Sequence, residues 1–290
     1  MKPSFTIVGC GKVGTSLAWF LSRRGYPLVG ITCKHLESAK AAARIVGTDI
    51  FSDKAWEVTP LADIVFITTP DGAITRTCED ILEHSGFKEN AVVLHCSGSL
   101  PSTILSFSPK GGYHTGSLHP LQSFASLKTD RNPFRDIIAA VEGDTTATAA
   151  ARNIAKDLGA VCLEIKTEAK SLYHASAVVA SNYLVSLMDL SLQLMASAGI
   201  TGKDAIGVLY PLVKGTLGNI EKVGIPEALT GPVSRGDTET VADHLKEMDK
   251  KTPALIPIYK SLGLHTIQLA LDKGTLSRDK AEAIESLLSD

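Results

Sequence analysis

Apolar positions divide the chain into two parts with different periodicity. In the first 165 residues, short apolar runs of strand length alternate with stretches whose apolar residues recur at helical spacing. Such alternation predicts an α/β domain with a doubly wound, mostly parallel sheet and helices on both faces. We expect strands at 5–8, 27–32, 49–51, 63–67, 91–94, 116–118, 137–141 and 160–165, and a helix at 145–158.

The second part shows helical periodicity. Neither glycine nor proline occurs from 160 to 198, and apolar spacing becomes helical from about 167. A helix of roughly 30 residues is ~45 Å long at 1.5 Å per residue, far longer than the crossover helices of a sheet. We expect it to be the spine of an all-α domain, which predicts domains at 1–166 and 167–290. Further helices are expected at 202–217, 237–249, 253–272 and 278–289.

A glycine-rich turn joins the first strand to the first helix. Its sequence is Gly9-Cys10-Gly11-Lys12-Val13-Gly14. In a dinucleotide-binding unit the first glycine permits the tight turn, the second lets a pyrophosphate approach the backbone, and the third lets helix and strand pack closely. The helix N-terminus attracts the anion. These six residues are therefore predicted to bind a dinucleotide, although a glycine turn can also be purely structural.

The end of the second strand indicates which dinucleotide binds. NAD-binding proteins place a carboxylate about 20 residues after the glycines, where it holds the ribose 2′-hydroxyl. This chain has Lys34 and His35 there, and cations would attract the 2′-phosphate of NADP. Glu37 is the nearest acid, and a position in the first turn of a helix explains it equally well. We therefore expect NADP as the cofactor.

Polar residues also follow two other predicted strands. Thr69 and Pro70 come after the fourth strand, and Ser97 comes after the fifth. Ligands of open α/β sheets lie at the carboxyl ends of the strands, so we expect these three residues to contact the cofactor, with Ser97 beside the nicotinamide. Cys96 is expected to be a small buried hydrophobe rather than a reactive thiol.

Composition argues against several function classes. The formal net charge is −2 and the charges form no long blocks, so neither nucleic acid nor a membrane surface is an expected partner. The first strand begins at Phe5, which leaves no room for a signal peptide, and we expect a cytoplasmic protein. The five cysteines are scattered without a C-x-x-C pair, which argues for reduced thiols and against a metal site.

Several motifs together resemble those of the family in which a Rossmann-like domain precedes a DUF2520 domain, within the 6-phosphogluconate dehydrogenase-like superfamily. They are 94–101 (LHCSGSLP), 118–124 (LHPLQSF), 173–174 (YH) with 181–182 (SN), and 229–237 (LTGPVSRGD). The likeness covers nearly the whole chain. It implies an NADP-binding Rossmann domain, a helical domain for substrate binding and dimerisation, and an activity like that of ketopantoate or pyrroline-5-carboxylate reductases.

The spine helix carries the catalytic candidates. Lys170 and His174 are four residues apart and share one face. The resemblance to β-hydroxyacid dehydrogenases and ketopantoate reductases implies a K-x-x-x-N pair here, with lysine as the proton donor, but this chain has His174 in place of the asparagine. Either His174 or Lys170 could donate the proton, and Lys170 could instead be a solvated lysine in the first turn. Asn182 is the third catalytic candidate, and Ser181, near the line of Lys170 and His174, is a candidate substrate contact.

Two further segments are candidates for substrate binding. His119 lies in a His-Pro pair that resembles that of prephenate dehydrogenases, although a turn histidine held by the proline is equally consistent. Thr230 and Gly231 begin a turn whose amides could bind a carboxylate, and Arg235 could add a bidentate clamp. The alternative is a helix entry in which Asp237 is the N-cap and pairs with Arg235. The segment departs from that of pyrroline-5-carboxylate reductases at Arg235 and Asp237, which argues against that substrate.

These observations predict an NADPH-dependent reductase of a small carbonyl compound that carries a carboxylate, with ketopantoate as the first candidate. An imino-acid reductase and a non-catalytic NADP-binding sensor are the alternatives. Polar residues along the spine favour an enzyme, because a binding module does not need Lys170 and His174 in the cleft. The spine is apolar over more of its circumference than one core requires, so we also expect a homodimer.

Overall fold

The computed structural model describes residues 1–84, 86–106, 112–124 and 131–289. It divides into two compact units, Met1–Asn182 and Tyr183–Asp290. This division falls within the predicted spine helix, whereas the sequence places a domain boundary at 166/167, and that boundary stays a prediction. The first unit contains the sheet together with Lys170, His174 and Asn182.

A mostly parallel sheet organises the first unit. Its strands, over the described part of the chain, are β1 Phe5–Val8, β2 Leu28–Thr32, β3 Phe51–Ser52, β4 Ile64–Ile67, β5 Ala91–His95, β6 Tyr113–Pro120, β7 Ile138–Gly143 and β8 Val161–Glu164. They lie in the order β3-β2-β1-β4-β5-β6-β7-β8. Strand β7 runs antiparallel to β6, and the other neighbouring strands are parallel. The predicted doubly wound α/β class is confirmed.

Helices cover both faces of this sheet and bury its apolar side chains. They are α1 Lys12–Arg23, α2 Leu36–Val46, α3 Asp71–His84 and α4 Thr145–Leu158, and a fifth helix of this unit, α5 Lys170–Ala177, begins the spine. Successive side chains of a strand point to opposite faces. Phe66 of β4 therefore belongs to the core formed with Leu17 of α1 and Ile154 of α4, whereas its neighbour Ile67 belongs to the core formed with Ile74 of α3. These two cores fix the strand ends from which the polar turns emerge.

Most observed strands differ from the predicted bounds by one or two residues at an end, and two of the differences have a clear structural reason. The third was expected at 49–51 but pairs only at Phe51–Ser52, because it is an edge strand with a single neighbour, β2. The sixth was expected at 116–118 but runs from Tyr113 to Pro120. It lies between β5 and β7, and hydrogen bonds on both sides extend it into its polar ends.

The spine helix has the predicted extent but not the predicted regularity. A 3₁₀ turn at Thr167–Ala169 leads into α5, a π-helical turn follows at Val178–Asn182, and α6 occupies Tyr183–Ser197. A π turn contains one residue more than an α turn. The expectation that Ser181 lies near the line of Lys170 and His174 assumed an unbroken α-helix, and the π turn changes that register.

The second unit is helical. Besides α6 it contains α7 Lys203–Val223, α8 Pro232–Arg235, α9 Thr238–Lys251, α10 Ile256–Asp272 and α11 Arg278–Ser289. Its core forms between α9, α10 and α11, around Val241, Ile267 and Ile284. By contrast, none of the described side chains of α6 is buried. Among the described side chains of α7, that of Ala205 is buried. Exposed apolar side chains of these two helices include Tyr183, Val185, Ile206, Val208, Tyr210, Leu212 and Leu217.

By length and composition alone, Thr167–Ser197 could also cross a membrane, and it is the one such helix among the residues that the structure describes. Its first turns, however, carry Lys170, which is buried and hydrogen-bonded to the sheet. The beginning of the helix is therefore fixed on the first unit of the same chain. The expectation that no membrane is a partner stays a prediction.

Candidate functional site

Glycines shape the turn between β1 and α1. Gly9 has φ +110°, and a Cβ atom there would lie 2.8 Å from backbone atoms of Thr68 and Thr69. A Cβ atom on Gly14 would lie 2.2 Å from the carbonyl oxygen of Gly9. At Gly11, in contrast, a Cβ atom would meet nothing within 4 Å among the described residues. Two of the glycines are thus required by the fold, whereas the third borders open space.

That open space has the donors of a phosphate site. Gly11 is the N-cap of α1, and within the described part of the chain it makes no side-chain capping bond, so the amides of Lys12 and Val13 lie at an uncapped helix N-terminus. The buried hydroxyl of Thr69, next to Gly9, has no hydrogen-bond partner among described residues. Open backbone, helix N-terminus and free hydroxyl together fit a pyrophosphate.

The end of β2 lies beside this glycine turn. The carbonyl oxygen of Thr32 accepts a hydrogen bond from the amide of Gly9 at 2.8 Å and one from the thiol of Cys10 at 3.2 Å. Lys34 and His35 follow shortly after and are exposed, and His35 is the N-cap of α2. Two basic side chains therefore follow directly on the strand end that borders the glycine turn, and both are free to meet a charged ligand.

A second turn follows β5 and is held by Asp71, the first residue of α3. The hydroxyls of Ser97 and Ser99 donate to Oδ2 of Asp71 at 2.8 Å and 3.1 Å. The Ser97 hydroxyl also accepts from the amides of Ser99 and Leu100. The Ser97 side chain is therefore engaged within its own turn, and the next residue that the turn presents is Gly98.

Two histidines from different elements converge on Gly98. A Cβ atom there would lie 2.5 Å from Nδ1 of His174 in α5 and 2.8 Å from Nε2 of His119 in β6. The two rings are nearly perpendicular, with centroids 5.8 Å apart. The Tyr173 hydroxyl lies 3.0 Å from Nδ1 of His119, whereas Nδ1 of His174 is buried without a hydrogen-bond partner among the described residues. The Nδ1 atom of His119 therefore has a hydrogen-bond partner, whereas the Nδ1 atom of His174 has none among the described residues.

Lys170 lies one turn before His174 but is turned into the protein. Its ammonium donates to Oγ of Ser117 at 2.6 Å and to the carbonyl oxygen of Ser97 at 2.9 Å, and it lies 3.4 Å from Oε1 of Glu142. Only 2% of its side chain is exposed. The alternative of a solvated lysine is therefore wrong. An ammonium has three hydrogens, and these acceptors account for all of them.

Burial and the buried charges set the ionisation of the site. Burial lowers the pKa of His119 to about 4, aided by the charge of Lys170 and by His174, while Asp71 opposes the shift. His119 is therefore neutral at neutral pH. Burial also raises the pKa of Tyr173, which keeps its hydroxyl protonated. Burial lowers the pKa of Lys170, but Glu142 opposes that shift through its charge and its hydrogen bond.

The other predicted site residues lie elsewhere. Ser181 and Asn182 are exposed in the π-helical turn. Thr230, Gly231 and Arg235 belong to the second unit, where Thr230 and Arg235 are exposed. The N-cap that the alternative interpretation assigned to Asp237 is present, since its side chain accepts a hydrogen bond from the amide of Thr240 at 3.1 Å. Among the described residues, no group of three His, Cys, Asp or Glu side chains could hold a metal ion.

Comparison with known proteins places this architecture in a family. The model of a Rossmann-like domain matches residues 2–120, and the model of the DUF2520 domain, a domain of unknown function, matches residues 137–266. The chain belongs to the Rossmann-like and DUF2520 family. No curated protein matches this DUF2520 protein in sequence.

Solved structures share its fold. A Bacteroides fragilis protein with a provisional assignment as an NADP oxidoreductase is 25% identical, with 92% of this chain and 98% of that chain covered and a TM-score of 0.75. A Thermotoga maritima protein is 27% identical over 93% and 99% of the two chains, with a TM-score of 0.71. An imine reductase from Myxococcus stipitatus in complex with NADP⁺ is 12% identical over 99% and 100%, with a TM-score of 0.66, and shows likeness of fold alone.

Sequence reasoning overlooked Glu142 in this site. It is 2% exposed and lies in β7 among alanine, valine and glycine. A carboxylate inside an apolar strand is costly unless it is paired, so its position in the sequence already indicated a buried cation nearby. The partner could not be named, because Lys170 lies 28 residues further along the chain.

The different surroundings of Gly14 and Gly11 predict different effects of substitution on the stability of the fold. Gly14→Ala should lower the free energy of unfolding by about 2–3 kcal/mol, because its Cβ atom would collide with the backbone of Gly9. Gly11→Ala should leave the free energy of unfolding within about 0.5 kcal/mol of wild type, since its Cβ atom enters open space. Urea unfolding of the two variants measures both values, and equal losses would contradict this description of the turn.

Proposed function

We propose that this DUF2520 protein is an NADP-dependent oxidoreductase that reduces the C=O group of a small carboxylate, with ketopantoate as the first candidate substrate. The observation that carries the proposal is the convergence of His119 and His174 on Gly98, just beyond the carboxyl end of β5. In an open α/β sheet this is where ligands lie, and the same unit holds the glycine turn. The 25% identical Bacteroides fragilis protein supports NADP-dependent oxidoreduction.

The two imidazoles are suited to different parts of carbonyl reduction. Bound NADPH would supply a hydride to the carbonyl carbon, and the oxygen, which takes up the electron pair of the C=O π bond, then requires a proton. We assign proton donation to His174, because its Nδ1 atom is buried and has no partner among the described residues. The Tyr173 hydroxyl can donate to Nδ1 of the neutral His119, which leaves the Nε2–H group of His119 beside Gly98 to hold the carbonyl oxygen.

Lys170, the other candidate donor, is less well placed. Its hydrogens are directed to Ser97, Ser117 and Glu142, so it would have to give up a protein acceptor to reach a substrate. The geometry therefore favours His174. Asn182 stays a proposed catalytic residue and Ser181 a proposed contact of the substrate, and their exposure in the π-helical turn leaves both side chains accessible.

Recognition of the substrate carboxylate needs a positive or amide-rich partner. Around Gly98 the structure brings together the neutral His119, His174, to which we assign proton donation, and Asp71. The nearby ammonium of Lys170 is already paired with Glu142. From the sequence motif we propose that Arg235 and the turn at Thr230 and Gly231, all in the second unit, are the carboxylate-binding residues of this protein. Arg235 is exposed, so its guanidinium is available for a bidentate contact.

We also propose that the protein is a homodimer in which α6 and α7 cover each other across a two-fold axis. Val185 is 70% exposed and Leu212 is 67% exposed, and both helices carry further exposed apolar side chains. Exposed apolar side chains concentrated on two helices are unusual for a monomer and typical of an interface. It also agrees with the excess apolar circumference read from the sequence of the spine.

The first prediction of this function concerns the cofactor. NADPH should bind at least about tenfold more tightly than NADH, or ~1.4 kcal/mol, because Lys34 and His35 can contact the 2′-phosphate. The double variant Lys34→Ala/His35→Ala should lose most of this preference. Fluorescence titration measures the affinities, and Lys156→Ala, which removes an exposed lysine at the end of α4, is the charge-matched control. Equal binding of NADH by the wild-type protein would contradict the assignment.

The second prediction concerns catalysis. NADPH oxidation should be screened against a panel of 2-oxo acids and cyclic imines, and ketopantoate should be reduced. His174→Ala should then lower kcat by ~10²-fold or more with little change in NADPH affinity, as expected for loss of a general acid. Arg235→Ala should mainly raise KM, because a carboxylate clamp acts on ground state and transition state alike.

His114→Ala is the matched control, since His114 lies at the opposite end of β6 from His119. It should retain the kinetics of the wild-type protein. Turnover of imines alone would favour the imino-acid reductase. NADPH binding without turnover of any compound would favour a sensor, and near-normal kcat in His174→Ala would show that the proton comes from elsewhere.

The third prediction concerns assembly. Sedimentation at micromolar concentration should give a dimer, and Val185→Arg or Leu212→Arg should shift it towards monomer, because each would place a charge in the proposed interface. Val161→Arg, at an exposed apolar position of β8, is the control and should remain dimeric. A monomeric wild-type protein would refute the proposal.

A further inference from the structure

We infer that Glu142 and Lys170 act together as a latch that positions the Ser97–Gly98 turn against His119 and His174. In this role Glu142 is a positioning residue, and Lys170 acts through the turn rather than on the substrate. The contribution to catalysis rests on the proposed function, whereas the latch itself does not.

The carboxylate of Glu142 is fully engaged. Its Oε1 atom accepts from the amide of Ser102 at 2.9 Å and from the hydroxyl of Ser117 at 2.8 Å. Its Oε2 atom accepts from the hydroxyls of Ser102 at 2.8 Å and Thr167 at 3.0 Å. Burial alone would raise the pKa of Glu142, but the hydrogen bonds from Ser102 and Ser117 and the charge of Lys170 outweigh it and lower that pKa. Glu142 is therefore ionised and needs a cation close by.

Lys170 provides that cation and joins it to the turn. Its ammonium bonds Ser117, which is itself bonded to Glu142, and the carbonyl oxygen of Ser97. Through Ser102 and Thr167 the same carboxylate reaches the other end of the β5 turn and the start of the spine helix. The latch thus ties together four parts of the first unit: the turn after β5, strand β6, strand β7 and the beginning of the spine.

The position of Ser97 determines where Gly98 lies. The carbonyl that Lys170 holds is bonded directly to the amide nitrogen of Gly98, and Gly98 lies so close to His119 and His174 that a methyl group would not fit. A shift of the turn by a fraction of an ångström would therefore change the distance from Gly98 to both imidazoles. The latch therefore controls the geometry around Gly98, where we place the reaction, although both of its charged groups are buried.

A buried ion pair offers a test that separates this role from mere stability. Removing one partner leaves an unpaired buried charge, whereas replacing both partners with neutral residues of similar shape often restores the fold. We would compare Glu142→Gln, Lys170→Met and the double variant Glu142→Gln/Lys170→Met. The single variants should lower Tm by several degrees, and the double variant should recover most of that loss.

If the latch positions the turn, the double variant should recover stability but not the wild-type surroundings of His119 and His174. Its Ser97 carbonyl lacks the ammonium donor, so the NMR signals of both His119 and His174 should move, and the apparent pKa of His119 should rise towards the ordinary histidine value because the charge of Lys170 is gone. Once a substrate is known, kcat should stay at least about tenfold below wild type while KM for NADPH changes less. The matched control is Arg152→Met/Glu164→Gln, which removes an exposed ion pair and should change none of these.

Three outcomes would overturn the inference. A double variant with wild-type histidine spectra would show that Ser97 is held without the latch. Recovery of kcat together with Tm would show that the pair is purely structural. Loss of kcat in Lys170→Met and in the double variant, with unchanged spectra of His174, would make Lys170 the proton donor. Absence of NADPH binding in the wild-type protein would refute the proposed function, yet the histidine spectra would still test the latch.

Discussion

The buried contact between Lys170 and Glu142 is the constraint on which the site depends. Two charges inside a protein are tolerated only when their remaining hydrogen-bonding groups are satisfied, and here Ser102 after β5, Ser117 of β6 and Thr167 at the start of the spine provide the partners. Because the pair and its partners come from four parts of the chain, the pair can form only when all of them are in place. Satisfying this pair therefore also assembles the surroundings of Gly98.

The other groups around Gly98 differ from the buried pair in their protonation and hydrogen bonding. Burial keeps His119 neutral and Tyr173 protonated, so the two side chains can share a hydrogen bond without a net charge. His174 differs, because its Nδ1 atom is buried and unpaired among the residues described. An unsatisfied buried nitrogen is costly in a resting protein and is typical of a position where a ligand supplies the missing partner. The asymmetry between the two histidines supports our proposal that His174 donates the proton.

The two units differ in how much of their apolar surface is buried. The sheet is covered on both faces by its own helices, and α9, α10 and α11 form a core of their own. Helices α6 and α7 keep apolar side chains exposed among the residues that the structure describes, such as Val185 and Leu212. The hydrophobic effect makes this surface unfavourable in water. A second copy of the chain is the partner that our proposal assigns to it.

The sequence by itself determined the fold class, the glycine turn and the family, because these depend on local periodicity and on motifs that are contiguous in the chain. It also identified Lys170, His174 and His119 individually. Only the tertiary structure decided that Lys170 points to Glu142 while His174 points to Gly98, although both lie on one helix a turn apart. It likewise decided the π-helical turn at Val178–Asn182. The reason is physical: the direction and ionisation of a side chain depend on the groups that surround it, and these groups come from strands that are distant in sequence and adjacent only in the folded sheet.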